Sequence, residues 1–228
     1  MFSLVLSLLT IRELFDYFPL MNSILNRKFR YTYSNASLVL IVINCVVYFL
    51  SYFVFPRLMS ILALNPLSII YGHSYWQFIT YMFVHGGIWH LFSNMLGLFI
   101  FGPPVERSIG TREFVLFYFL TGTLSGIASF FSYYLTGTFA VLIGASGALY
   151  AVMLLFSVLY PRAVIFIFGI LPVRAPVLVI IYFFLELFSQ MGSYGGSIAH
   201  MTHLFGLLFA FLYCIIRMRI KPWREWGL

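Results

Sequence analysis

Six apolar stretches, parted by connections that collect nearly every charge, set the frame of this chain. They lie at about 36–55, 89–104, 112–133, 144–160, 173–190 and 199–217. A helix of about twenty apolar residues crosses the ~30 Å hydrocarbon core of a bilayer. Hydrophobic residues make up 62% of the 228 and charged residues only 8%, against about 25% charged in soluble domains. The expectation is an all-α polytopic membrane protein, a bundle of six transmembrane helices with a long outer first loop.

The basic residues orient the bundle. With the N-terminus in the cytoplasm, Arg12, Arg27, Lys28 and Arg30 lie inside, as do Arg107, Arg112, Arg162, Arg174, Arg217, Arg219, Lys221 and Arg224. Arg57 alone falls outside, so twelve of the 13 Lys and Arg residues obey the positive-inside rule. That distribution, and not nucleic-acid binding, accounts for the net charge of +7. The chain divides into a cytoplasmic or interfacial segment 1–35, a six-helix core 36–217 and a basic cytoplasmic tail 218–228. Met1–Leu9 has no basic residue before it and no small-residue cleavage site, which makes it a poor signal peptide and too short to span. An interfacial helix is expected there, with Phe2, Leu6, Leu9 and Phe15 on its apolar side. Trp223 and Trp226 read as interfacial anchors. Cys45 lies mid-span and Cys214 near a cytoplasmic end, too far apart to bridge.

The connection 56–88 is long, aromatic and rich in turn formers. It reads as an amphipathic lobe lying partly in the outer leaflet. Gly102-Pro103-Pro104 is expected to end the short second span, and Gly192, Gly195 and Gly196 to make the last outer loop flexible.

Polar residues in spans two, four and six arrive at one depth in this topology, the outer half. His90 and Asn94 share one face of span two; Ser146 and Tyr150 share one face of span four; His203 lies in the first turns of span six. A serine beside glycine in a membrane helix is more often packing glue, but Ser146 with His203 is the minimum equipment for nucleophilic catalysis. His203 can take the Ser146 proton. His90, Asn94 and the Ser146 backbone N–H are candidate oxyanion donors. These three spans hold no acid in their outer halves, so a dyad is expected, with Tyr150 stacked on the imidazole. Helical rotation separates His203 from His200: with Gly206 at zero, the small residues Ala199, Thr202 and Ala210 fall within ~40°, His203 near ~60° and His200 near ~120°. His203 therefore borders the stripe along which another backbone approaches, and His200 is expected on the rim, facing water or loop.

Together these residues resemble the rhomboid family of intramembrane serine proteases. Gly144-Ala145-Ser146-Gly147 matches the family's GxSG, His203 with Gly206 its HxxG, and His85, His90 and Asn94 its HxxxxHxxxN. Tyr150, Glu106 and Trp76 fall at family-typical places, and the likeness covers about 36–217. It implies a water-filled cavity opening outward and cleavage of single-span membrane proteins near the outer surface, in a bacterial inner membrane. Two departures stand out: Gln77 after Trp76 where arginine is common, and Ala210 where glycine is common.

Other residues have plainer readings. His85 fits a loop-anchoring histidine and His73 a surface one. Glu186, the one acid near the outer end of a span, either snorkels to the interface, bonds a neighbouring helix or takes part in gating. A metal hydrolase lacks an HExxH and a carboxylate joined to the histidines. A transporter would show inverted repeats, and an inactive helix-binding escort would have lost Ser146 or His203. No cofactor and no metal is expected; transmembrane substrates and the bilayer are the expected partners. A cysteine introduced at Ser68 should react with an impermeant thiol reagent on intact cells, and labelling only after lysis would reverse the orientation.

Overall fold

The computed structural model describes residues 29–137, 140–167, 169–192 and 199–227. The expected N-terminal interfacial helix and the Gly195–Gly196 loop lie outside them. All six apolar stretches become helices. They are α1 (Ala36–Phe49, prolonged by a wider π turn over Leu50–Val54), α5 (Ile88–Ile109), α6 (Thr111–Thr136), α7 (Ser146–Leu159), α8 (Ala175–Gly192) and α9 (Ala199–Tyr213, prolonged over Cys214–Met218). Four are long and apolar enough to cross a membrane, and α7 and α8 are shorter. The lobe formed by the 56–88 connection holds α2 (Arg57–Leu62), α3 (Pro66–Gly72) and α4 (Gln77–Thr80); α10 (Pro222–Glu225) follows α9. The protein is an integral membrane protein of mostly helical, polytopic architecture.

Two expectations need correction. The chain is not wholly helical: Val164–Ile167 (β1) and Leu171–Arg174 (β2) pair as an antiparallel hairpin between α7 and α8. The first strand is rich in β-branched residues (Val164, Ile165 and Ile167), and the turn holds Gly169 at φ +72°, a conformation glycine adopts without penalty. Nor does Gly102-Pro103-Pro104 end α5, which runs on to Ile109. Each proline removes one donor from the ladder, but membrane helices tolerate this where neighbours compensate. Separately, the Ser108 and Tyr160 hydroxyls both donate to the Pro104 carbonyl, at 3.1 and 3.2 Å, and tie α5 to the end of α7.

The turn after those prolines holds the strongest polar knot of this end. Glu106 is fully buried. Its carboxylate accepts the backbone N–H groups of Ala36 and Ser37 and the Ser37 hydroxyl, each at 2.8 Å, and the Thr111 hydroxyl at 2.6 Å. It thus caps α1, whose own N-cap Asn35 makes no side-chain cap, and puts a negative charge at a helix N-terminus. A second acid, Glu113 at the start of α6, takes Arg217 through two parallel bonds of 2.9 Å and the Tyr213 hydroxyl. Trp226 does more than anchor an interface: its indole N–H donates to the Ser157 carbonyl at 3.2 Å and ties α10 to α7.

Helix α7 is the axis. Eleven of its 14 residues are buried, the pattern of a helix surrounded on all sides. Gly147 packs level with Ser125 of α6, where an added Cβ would come within 3.4 Å of the Ser125 Cβ. Helix α6 continues from Ser125 to Thr136, roughly 16 Å further at 1.5 Å per residue. The N-terminus of α7 is therefore sunk well below the end of α6.

The lobe seats itself in a notch of small residues on α6. Gly122 and Gly126 would place a Cβ 2.2 Å from Met82 Sδ and 2.7 Å from the Tyr81 ring, and the Tyr81 hydroxyl donates to the Gly122 carbonyl at 2.7 Å. Leu64 and Leu142 exchange both backbone bonds, fastening the lobe to the loop before α7. Gln77 takes over the pinning. Its oxygen accepts the Asn65 N–H at 3.0 Å, its amide donates to the Ile61 carbonyl at 3.1 Å, and the Trp76 indole reaches that carbonyl at 3.0 Å.

Glu106→Gln leaves an amide group facing buried N–H donors. It should lower unfolding stability in detergent by about 2–4 kcal/mol, from the usual worth of charge-assisted bonds, measured by thermal melting against wild type.

Candidate active site

The loop 140–145 delivers the serine. Its Gly144 N–H donates to the Tyr81 carbonyl at 2.9 Å, so the lobe sets where α7 begins. Gly144 sits at φ +107°, and a Cβ there would lie 2.6 Å from His90 Nε2. Only glycine meets both conditions. Ser146 is the first residue of α7, so its backbone N–H is one of the donors that a helix leaves unpaired at its start.

Two further glycines bring the base helix in. A Cβ on Gly206 of α9 would lie 2.2 Å from the Gly147 carbonyl oxygen, and a Cβ on Gly147 would lie 3.0 Å from Thr202 Cγ2. The two backbones touch, as small residues allow in membrane helices. Ala210 is fully buried one turn on, and Thr202 shares a 2.7 Å hydroxyl contact with Ser129 of α6. Above this contact Ser146 Oγ stands 2.7 Å from His203 Nε2. The Tyr150 ring lies 4.3 Å from the imidazole and within 8° of parallel.

The third partner comes from α8, outside the three spans on which the sequence centred the chemistry. Glu186 is 7% exposed. His203 Nδ1 lies 2.9 Å from its Oε1. The Tyr150 hydroxyl donates to the same oxygen, and His200 Nδ1 meets Oε2. The sequence placed no acid beside the Ser146–His203 pair; the structure sets the Glu186 carboxylate against the other edge of His203. His200 is corrected, since it is bonded to Glu186 rather than turned only to water. Glu186, His200 and His203 present ligand atoms within 4.8 Å of one another, so the expectation that no carboxylate joins the histidines also fails. Periodicity along one helix cannot reveal which neighbour fills its flank. The available signal was the lone acid in an apolar span at the right depth.

The remaining candidates sit around this array. His85 is fully buried and lies edge-on to His90, with centroids 5.0 Å apart. Burial, with His90 beside it, pulls its imidazole down to about 4, and its neutral Nε2 accepts a long 3.5 Å bond from the Ala145 N–H. That is an anchor for the serine loop. His90 Nε2 lies against Gly144, on the same side. Asn94 commits one of its amide hydrogens to the His90 carbonyl at 2.7 Å, and its buried oxygen finds no partner among the described residues. Trp76 belongs to the lobe's pinning, away from the array. His73 is exposed.

Comparison with known proteins converges on one family. A rhomboid-domain profile matches residues 72–220. The rhomboid protein YdcA of Bacillus subtilis is 31% identical over 152 residues, covering 66% of this chain and 71% of that protein. RHOMBOID-like protein 12, mitochondrial, of Arabidopsis thaliana is 35% identical over 115 residues, 44% of this chain and 34% of its own length. Rhomboid protease GluP of Bacillus subtilis is 39% identical over 84 residues, 36% of this chain and 15% of its own. The chain therefore spans well under two thirds of the latter two relatives. Gly206→Ala should separate α7 from α9. The expected result is a lower melting temperature and loss of serine labelling by a fluorophosphonate, whereas Gly137→Ala, where a Cβ meets nothing within 4 Å, should keep labelling.

Proposed function

The chain belongs to the rhomboid family, and from that premise we propose that it is an intramembrane serine endopeptidase acting on single-span membrane proteins near the outer membrane surface. The reading takes six spans with both termini cytoplasmic, so that Ser146 opens toward the outside. The observation that carries it is the 2.7 Å contact between Ser146 Oγ and His203 Nε2, at a depth where such polar groups are costly without a role.

The chemistry follows from the groups. Ser146 Oγ attacks the scissile carbonyl carbon as its proton passes to His203 Nε2. The carbonyl π pair moves onto oxygen, giving a tetrahedral oxyanion. The Ser146 backbone N–H, at the positive end of α7, is its first donor. His90 and the uncommitted amide hydrogen of Asn94 would complete the hole on the lobe side. Collapse expels the amine, which takes the proton from Nε2 and leaves an acyl-serine. A water then repeats the sequence: Nε2 takes its proton, hydroxide attacks, and Ser146 leaves reprotonated with release of the acid. Tyr150 keeps the imidazole plane fixed through its parallel ring.

Ser146→Ala should insert and melt as wild type yet show no cleavage of a model membrane substrate and no fluorophosphonate labelling. Cleavage retained by well-folded Ser146→Ala would end the serine-protease reading. His203→Ala should be equally inactive. His200→Ala, which keeps the Ser146–His203 contact, should retain a substantial fraction of activity in the same assay.

A further inference from the structure

We propose that Glu186 is a positioning residue for this reaction, the carboxylate of a serine–histidine–glutamate array assembled across α7, α9 and α8. The inference rests on the catalytic reading of Ser146 and His203. It goes beyond the dyad by adding a third helix to the site.

The geometry is continuous. Ser146 Oγ is 2.7 Å from His203 Nε2, and His203 Nδ1 is 2.9 Å from Glu186 Oε1. An ionised carboxylate only accepts, so all its neighbours donate: His203 and His200 through Nδ1–H, and Tyr150 through O–H. With Nδ1 carrying the hydrogen, the neutral imidazole presents a bare Nε2 to the serine, which is the tautomer that attack requires. The two carboxylate oxygens divide the work. Oε1 holds His203 and Tyr150, the ring stacked on it; Oε2 holds His200, so the carboxylate cannot swing away from His203.

Electrostatics points the same way. Glu186 lies in an apolar helix, and its ion-pair partners among the described residues are His200 and His203. During attack His203 becomes an imidazolium. A fixed carboxylate 2.9 Å away stabilises that charge as it forms, in surroundings where water screens it weakly. No proton need reach Glu186 at any stage.

The same three side chains are also a conceivable zinc donor set. The two roles exclude each other. A metal taking the Nδ1 lone pair of His203 would leave the hydrogen on Nε2, which could no longer accept the serine proton.

The test uses the full-length protein in detergent and in membranes, comparing wild type, Glu186→Gln, Glu186→Asp and Ser146→Ala. Glutamine keeps the shape and loses the charge. Glu186→Gln should lower kcat by about 10²–10⁴-fold, the upper figure being that of carboxylate loss in serine–histidine–acid sites. KM should stay within about two-fold, and fluorophosphonate labelling per inserted copy should slow in step. Glu186→Asp should recover part of kcat. Scoring the labelling per copy in membranes reads any variant that detergent destabilises. Wild-type kcat in Glu186→Gln, beside a dead Ser146→Ala, overturns the role of Glu186 and leaves the dyad. A loss confined to KM, or Glu186→Asp no better than Glu186→Gln, overturns it too. Cleavage by Ser146→Ala overturns the reading beneath it. Wild-type activity should survive EDTA; activity lost to EDTA and restored by zinc would replace the proposal with a metal site.

Discussion

The contact between Gly147 and Gly206 is the constraint on which the site depends. A bilayer offers helices little hydrophobic reason to associate with one another, so close packing and interhelical hydrogen bonds carry the load. Here an added Cβ would lie only 2.2 Å from the opposing carbonyl oxygen, so the two backbones define their own separation. Ser146 precedes one of these glycines by one residue, and His203 precedes the other by three, nearly one helical turn. The Ser146–His203 distance is thereby inherited from backbone geometry rather than from side-chain adjustment. Thr202 adds a second lock through Ser129, which ties the base helix to α6 as well.

That contact also explains why the lobe is needed. Helix α7 begins below the end of α6, and the loop leading into it needs partners that satisfy its backbone and orient it. The lobe supplies both. Tyr81 fills the notch at Gly122 and Gly126 and passes its carbonyl to the Gly144 N–H, while His85 fills the space under Ala145. The serine loop is therefore held from above by the lobe and from below by the rest of α7.

Hydropathy and charge made the helices legible, because lipid demands long apolar segments and the connections hold the cations. Ser146, His203 and Tyr150 were legible as a group because one helical face can be read from spacing. What escaped shares a physical cause: it depends on neighbours that one-dimensional spacing does not specify. The proline pair reads as a stop, yet α5 runs on past it to Ile109 within the bundle. The 164–174 connection reads as a plain loop until its two edges pair. Gln77 looks like a lost cation until Ile61 and Asn65 fold over it. Glu186 has three readings from sequence, and the bond to a neighbouring helix is the one the structure bears out, with partners on α9 and α7 that spacing could not name.

A comparison of the three acids that open or interrupt apolar helices sharpens the last point. Glu106 faces a helix N-terminus and hydroxyl donors, a closed set that is complete at rest. Glu113 faces Arg217, a cation at every working pH, through a bidentate bridge. Both are compensated permanently, as a structural carboxylate in a poorly screened setting should be. Glu186 alone has partners whose charge is conditional, two imidazoles and a phenol. In the proposed reaction it reaches a full ion pair when His203 takes the Ser146 proton. An interaction that is stronger in the transition state than before it is the kind that accelerates a reaction. By that criterion the role proposed for Glu186 sets it with the reacting groups, whereas Glu106 and Glu113 belong to the scaffold.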